Sequence, residues 1–172
     1  MKFYVKKLKF QNPSKVYSKV RSKYSVLLES QKHGNESYIA LNPKMIFRSK
    51  GKKIEIIKDK KVVRNSDPFN ELRKIFKTKF KRNVLPLFYS GGIGYFAYDC
   101  INKAKKDDLS MPDIYLIFPK DVIYFDHVNK FIKIISQDKD SLNNLVQKIK
   151  NKANLKKITS HSKVTFTSNF NK

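Results

Sequence analysis

Residues 90–98 read SGGIGYFAY, and three of the chain's five glycines, Gly91, Gly92 and Gly94, fall inside that stretch. Glycines this dense can do one of two things. They can open a loop whose bare N–H groups cradle a phosphate, or they can let one backbone approach another closely. A phosphate loop of the G-x-x-x-x-G-K-[ST] type needs a Lys and a hydroxyl residue at its end, and here Phe96 stands five residues after Gly91. A dinucleotide fingerprint needs G-x-G-x-x-G leading into a helix, and Gly92-Ile93-Gly94 is followed by Tyr95, Phe96, Ala97 and Tyr98. Those aromatic residues favour a strand. The segment therefore reads as a strand in which Gly91, Gly92 and Gly94 allow close sheet packing under the rings of Tyr95 and Tyr98.

The remaining reactive residue types do not assemble. His33, His127 and His161 lie far apart, with no metal-ligand spacing, and Cys100 is the only cysteine. Asp107-Asp108 sits in a polar run that reads as a solvated loop. Ser30 and Ser90 lack the G-x-S-x-G setting of a nucleophile elbow. No nucleophile, base and oxyanion donors are apparent together.

Whatever holds these residues is one globular unit. At 172 residues, with 13 Phe and 9 Tyr, the chain can bury an ample core without disulfides. A lone cysteine and an N-terminus, MKFYVKKLKF, without an apolar signal-peptide core imply a reducing, cytoplasmic setting, and no apolar run is long enough for a membrane helix. The net charge of +24 raises nucleic acid as a partner. Against this, 33 of the 38 basic residues are Lys and five are Arg, spread along the chain, and Arg is the residue that grips phosphates and guanine edges bidentately. The favoured reading is solvated lysine faces, of the kind an AT-rich coding sequence produces, and nucleic acid is the lesser alternative.

The elements follow from hydrophobic periodicity. Phe3, Val5, Leu8 and Phe10 predict an opening strand. Pro13 and the four-residue spacing of Val16, Val20 and Tyr24 predict a helix over 14–24. "SVLLES" at 25–30 reads as a buried strand. Short strands follow at 37–41, 44–48, 52–58 and 61–64, punctuated by Asn42-Pro43, Ser49-Lys50-Gly51 and Asp59-Lys60. Asp67-Pro68 opens a helix whose stripe is Phe69, Leu72, Ile75, Phe76 and Phe80. Strands at 114–118, 122–125 and 131–135 precede a helix from Asp140 or Ser141 carrying Leu142, Leu145, Val146 and Ile149. Short connections imply antiparallel pairing, so the fold class is α+β: antiparallel sheets, meander or sandwich-like, with flanking helices.

Five segments, in order, resemble a known family: "LLES" at 27–30, "SYIALNPKMIF" at 37–47, "DPFNELRKIF" at 67–76, "SGGIGYFAYD" at 90–99 and "MPDIYLIFPKDVIYFDHVNKFIKII" at 111–135. Together they are similar to the N-terminal domain of anthranilate synthase component I, shared more loosely with aminodeoxychorismate synthase component I. The resemblance implies a regulatory and scaffold domain over 1–158, with 159–172 leading toward a chorismate-binding part outside the chain. In the intact enzyme that part binds chorismate and Mg2+ and, with ammonia from a glutamine amidotransferase subunit, forms anthranilate and pyruvate. On this likeness the chain carries no catalytic residue and no cofactor of its own. Its partners are the chorismate-binding part and the amidotransferase. Alone it exposes an apolar face and is prone to aggregate.

The same resemblance implies that the "LLES" strand contributes to a feedback pocket for tryptophan, lined by Leu28, Glu29 and Ser30. Glu29 can pair with an ammonium group, and Ser30 can donate or accept a hydrogen bond. One departure stands out: the family often has Arg-Tyr-Ser where this chain has Asn35-Glu36-Ser37. The remaining ligand contacts are expected from outside these residues, so the chain by itself should bind weakly.

Overall fold

The computed structural model describes residues 2–30, 34–77, 91–100 and 111–151. Two long strands organise them. Strand β3 (Glu36–Lys50) and strand β7 (Ile114–Asp126) run antiparallel from the Glu36–Asp126 pair to the Ser49–Ile114 pair. Around them lie β1 (Tyr4–Lys9), β2 (Val26–Leu28), β4 (Lys53–Ile57), β5 (Lys61–Asn65), β6 (Ile93–Phe96) and β8 (Phe131–Ser136). The order is β1-β8-β7-β3-β4-β5, with β2 added to β3 and β6 to β7. Every pairing is antiparallel, so the α+β class stands and the predicted sheets are one curled eight-stranded sheet.

The segments 37–41 and 44–48, expected as two strands, are one strand. Asn42-Pro43 does not break it. Asn42 takes a left-handed φ of 47°, which Asn tolerates better than most residues, and the register slips by one between Pro43 and Met45. Pro43 pairs with Pro119, so neither strand can donate an N–H there. The segments 114–118 and 122–125 merge through Pro119 in the same way.

Three helices carry their own start signals. In α1 (Pro13–Val20), Asn12 Oδ1 accepts the Lys15 N–H at 3.1 Å. In α2 (Pro68–Phe76), Asp67 accepts the Asn70 N–H at 2.7 Å, and in α3 (Lys139–Lys150), Asp138 accepts the Asp140 N–H at 3.0 Å. Helix α1 stops at Val20, short of the predicted Tyr24, because Ser22 and Ser25 bond locally: the Ser22 N–H donates to Ser25 Oγ at 2.9 Å. In α2 only Leu72 of the predicted stripe is fully buried. Phe69 and Ile75 are partly buried, Phe76 is exposed although its ring lies 5.6 Å from that of Phe118, and Phe80 is outside the described residues.

Helices α1 and α3 pack over one half of the sheet, burying Val16, Val20, Ile149, Ile39, Phe125 and Ile132. Helix α2 covers the other half, with Leu72 against Phe47, Ile54 and Leu116. Alternation turns Ala40 and Ile46 away from those helices. There they meet Ile93 and Ile117 in a further cluster whose rim, Val26, Leu28, Ile57 and Tyr115, is only half-buried.

The glycine segment forms strand β6 on β7, as its aromatic residues predict. A Cβ on Gly94 would stand 1.8 Å from the Tyr115 carbonyl oxygen, so the two backbones approach more closely than any side chain permits. At Gly92 a Cβ would meet the Phe118 ring at 3.1 Å, whereas Gly91 faces open space. Close packing therefore needs Gly94 most and Gly91 not at all. The expected covering rings do not cover the glycines: Tyr95 stacks beside Tyr115 with 6.1 Å between centroids, and Tyr98 is 78% exposed. Only Ile93 of β6 is buried.

Candidate functional site

Strand β2 is three residues long and half-buried, not the longer buried strand expected from 25–30. Its pairs are Val26 with Ala40, Leu27 with Ile39 and Leu28 with Tyr38. Alternation splits the two leucines. Leu27 packs with the α1/α3 cluster, and Leu28 lies on the other side among Tyr38, Tyr124 and Phe3. Leu28 thus supplies apolar surface on the side away from the helices.

Glu29 is exposed, and its carboxylate accepts the Ser14 hydroxyl at 2.8 Å. Ser14 stands in the first turn of α1, so the helix start and the strand end are tied together. Ser30 is half-buried, and its N–H donates to Ser37 Oγ at 3.0 Å. The same Ser37 oxygen lies 2.8 Å from His127 Nε2. The Ser30 hydroxyl sits tightly against Gly34, where an added Cβ would come within 1.9 Å of Oγ. Leu28, Glu29 and Ser30 are consecutive along one strand end, but each is held by a different neighbour.

Residues 35–37, where the chain departs from the resembled pattern, supply much of that setting. The Glu36 carboxylate accepts hydroxyl hydrogen bonds from Tyr38 and, at 2.9 Å, from Tyr124. The two rings lie 5.4 Å apart. Burial, reinforced by the bond to Glu36, pushes the Tyr124 phenol up to about 12. The same two causes raise Tyr38 further. Sequence reading missed this clasp and missed His127. The one available signal was the i, i+2 spacing of Glu36 and Tyr38, which puts both on one side of a strand.

A second polar cluster holds the bend between the sheet halves. Asp121, fully buried, accepts the Ser136 hydroxyl at 2.5 Å, the Ser141 hydroxyl at 2.6 Å and the Asn42 amide at 2.5 Å. These bonds join β7, β8, α3 and β3 and match a buried carboxylate with three donors.

The other reactive residues stay dispersed. Among the described residues no group of three or more His, Cys, Asp or Glu is placed to hold a metal ion. His33, His161, Asp107, Asp108 and Ser90 lie outside the described residues. Cys100 is half-buried, and its thiol donates to the Asp113 carbonyl at 2.8 Å. Two clefts of about 280 and 260 Å3 share Ser49, at the far end of β3 from "LLES". Ion pairs line them: Arg48 holds Glu55, which Lys61 also pairs from outside the clefts, and Lys50 holds Asp113 at 3.2 Å. Among the described residues, no helix is long and apolar enough to cross a membrane.

Comparison with known proteins bears on what the strand end belongs to. No family model matches the chain. Anthranilate synthase component 1 of Thermus thermophilus is 28% identical over 142 residues, covering 76% of this chain and 30% of that protein. The protein of the same name from Saccharomyces cerevisiae is 33% identical over 147 residues, covering 77% and 26%. Aminodeoxychorismate synthase component 1 of Bacillus subtilis is 32% identical over 146 residues, covering 76% and 31%. The chain thus spans under a third of the length of these relatives. The crystal structure of anthranilate synthase component I from Streptococcus pneumoniae matches with a TM-score of 0.57 at 22% identity, over 84% of this chain and 36% of that one, a likeness of fold. On these matches the chain corresponds to the N-terminal domain of the chorismate-utilising enzyme family that holds both anthranilate synthase component 1 and aminodeoxychorismate synthase component 1.

Proposed function

We propose that this chain is the regulatory and scaffolding portion of a chorismate-using synthase that makes anthranilate for tryptophan synthesis. In the whole enzyme, ammonia delivered by a glutamine amidotransferase replaces the chorismate ring hydroxyl, which leaves as water, and elimination of pyruvate then gives anthranilate. The groups that bind chorismate and Mg2+ belong to the part of the enzyme outside these 172 residues. The present residues would form one wall of a tryptophan site: Leu28 against the indole, Glu29 on the ammonium group, Ser30 as a neutral hydrogen-bonding group. The observation that carries this reading is the sequence match over three-quarters of the chain to component 1 proteins. The polar support of Glu29 and Ser30 at the end of β2 agrees with it.

The test is anthranilate fluorescence with chorismate, ammonia and Mg2+. The chain alone should give no product, and addition of a chorismate-binding part should restore it. Glu29→Ala or Ser30→Ala should then raise the tryptophan concentration needed for half-inhibition about tenfold or more. Product from the chain alone would overturn the assignment of catalysis, and unchanged inhibition in both variants would remove the site. A second reading rests on the Bacillus subtilis match, which is as strong in identity as those to anthranilate synthases. On that reading the reconstituted enzyme releases aminodeoxychorismate, and product analysis separates the two.

A further inference from the structure

We infer that Ser37 and His127 are positioning residues that fix the backbone at Ser30, and through it set the affinity of the proposed ligand strand. The inference deepens the tryptophan-site reading, although its geometric half stands without it. Ser37 is fully buried, and its one oxygen serves both neighbours, taking the Ser30 N–H at 3.0 Å and meeting His127 Nε2 at 2.8 Å. β2 has ended at Leu28, so the Ser30 amide lies past the last ladder pair and this hydroxyl is what anchors it. His127 is itself fixed. Its backbone N–H donates to the Asn35 carbonyl at 2.9 Å, and its ring stands edge-on to Phe10 with 5.3 Å between centroids. The turn after β7 therefore reaches Ser30 through two hydrogen bonds, one buried oxygen between them. Glu29, one residue earlier, is tied to α1 by Ser14, so the two polar residues of the strand end are held by different elements. A group anchored in this way keeps its geometry before a ligand arrives, which lowers the ordering cost of binding.

Amide hydrogen exchange on the 172-residue chain tests the positioning. Ser37→Ala should speed exchange at Ser30 at least tenfold while Ile39 and Ile123, in the centre of the sheet, keep their rates. His127→Ala should act in the same direction, and His127→Gln, whose side-chain amide can donate to or accept from the Ser37 hydroxyl, should restore protection. Unchanged exchange at Ser30 in Ser37→Ala overturns the inference. So does an equal acceleration at Ile39 and Ile123, since the pair would then be general core support. With the chorismate-binding part added, Ser37→Ala should raise the half-inhibiting concentration of L-tryptophan several-fold with the KM for chorismate unchanged. A parallel change in KM overturns the regulatory role. A wild-type enzyme indifferent to L-tryptophan removes that role together with the proposed site, and the exchange rates then decide the positioning alone.

Discussion

Single atoms decide several features of this domain. At Gly94 the obstacle to a side chain is the Tyr115 carbonyl oxygen, a backbone atom that cannot rotate away. Gly94→Ala should therefore destabilise the fold by about 1–3 kcal/mol through forced separation of β6 and β7, while Gly91→Ala, which meets open space, should be near neutral. Paired urea melts compare them directly. The phenol of Tyr124 supplies a second prediction. Its proton is held to about 12 in the fold, against an ordinary value of 10. The stabilisation linked to that proton is fully present below pH 10 and is lost as the pH rises from 10 through about 12, because the unfolded chain releases the proton first. Ultraviolet titration of tyrosinate should show this late step, and Glu36→Gln should move it part of the way back toward 10. Of the residues at the strand end, "LLES" could be picked out only through the family resemblance. Ser37 and His127 could not, since a buried serine looks like any other and its histidine lies 90 residues away.

Elements were legible where their signals are local. Asp67-Pro68 and Pro13 mark helix starts through local signals that need no tertiary partner, and both starts are observed within a residue of the expectation. The long strands were not legible as single units. Asn-Pro reads as a break when seen alone, and only the facing strand shows that both chains bend together at Pro43 and Pro119. What secures the bend is Asp121. Asp121→Ala would leave three donors without their acceptor in a buried place, so a loss of roughly 2–4 kcal/mol is expected in thermal or urea unfolding. Asp121→Asn should cost less, since one amide oxygen can still accept.

At the scale of the whole molecule, local order and global order differ. β3, β4 and β5 are joined by short turns, and each pairs with the next in sequence. β1 is different: its partner is β8, with Tyr4 opposite Ser136. Strand β1 thus waits for a partner that is synthesised long after it. About 130 residues separate the pair, and at roughly 5–20 residues per second that wait lasts roughly 7–26 s. During it β1, with three lysines in six residues and Val5 and Leu8 unburied, has no edge to join. Nascent chains arrested before Phe131 should be cut by trypsin within residues 2–9, and chains released after Ser136 should resist. Equal cutting in both would mean that β1 docks without β8.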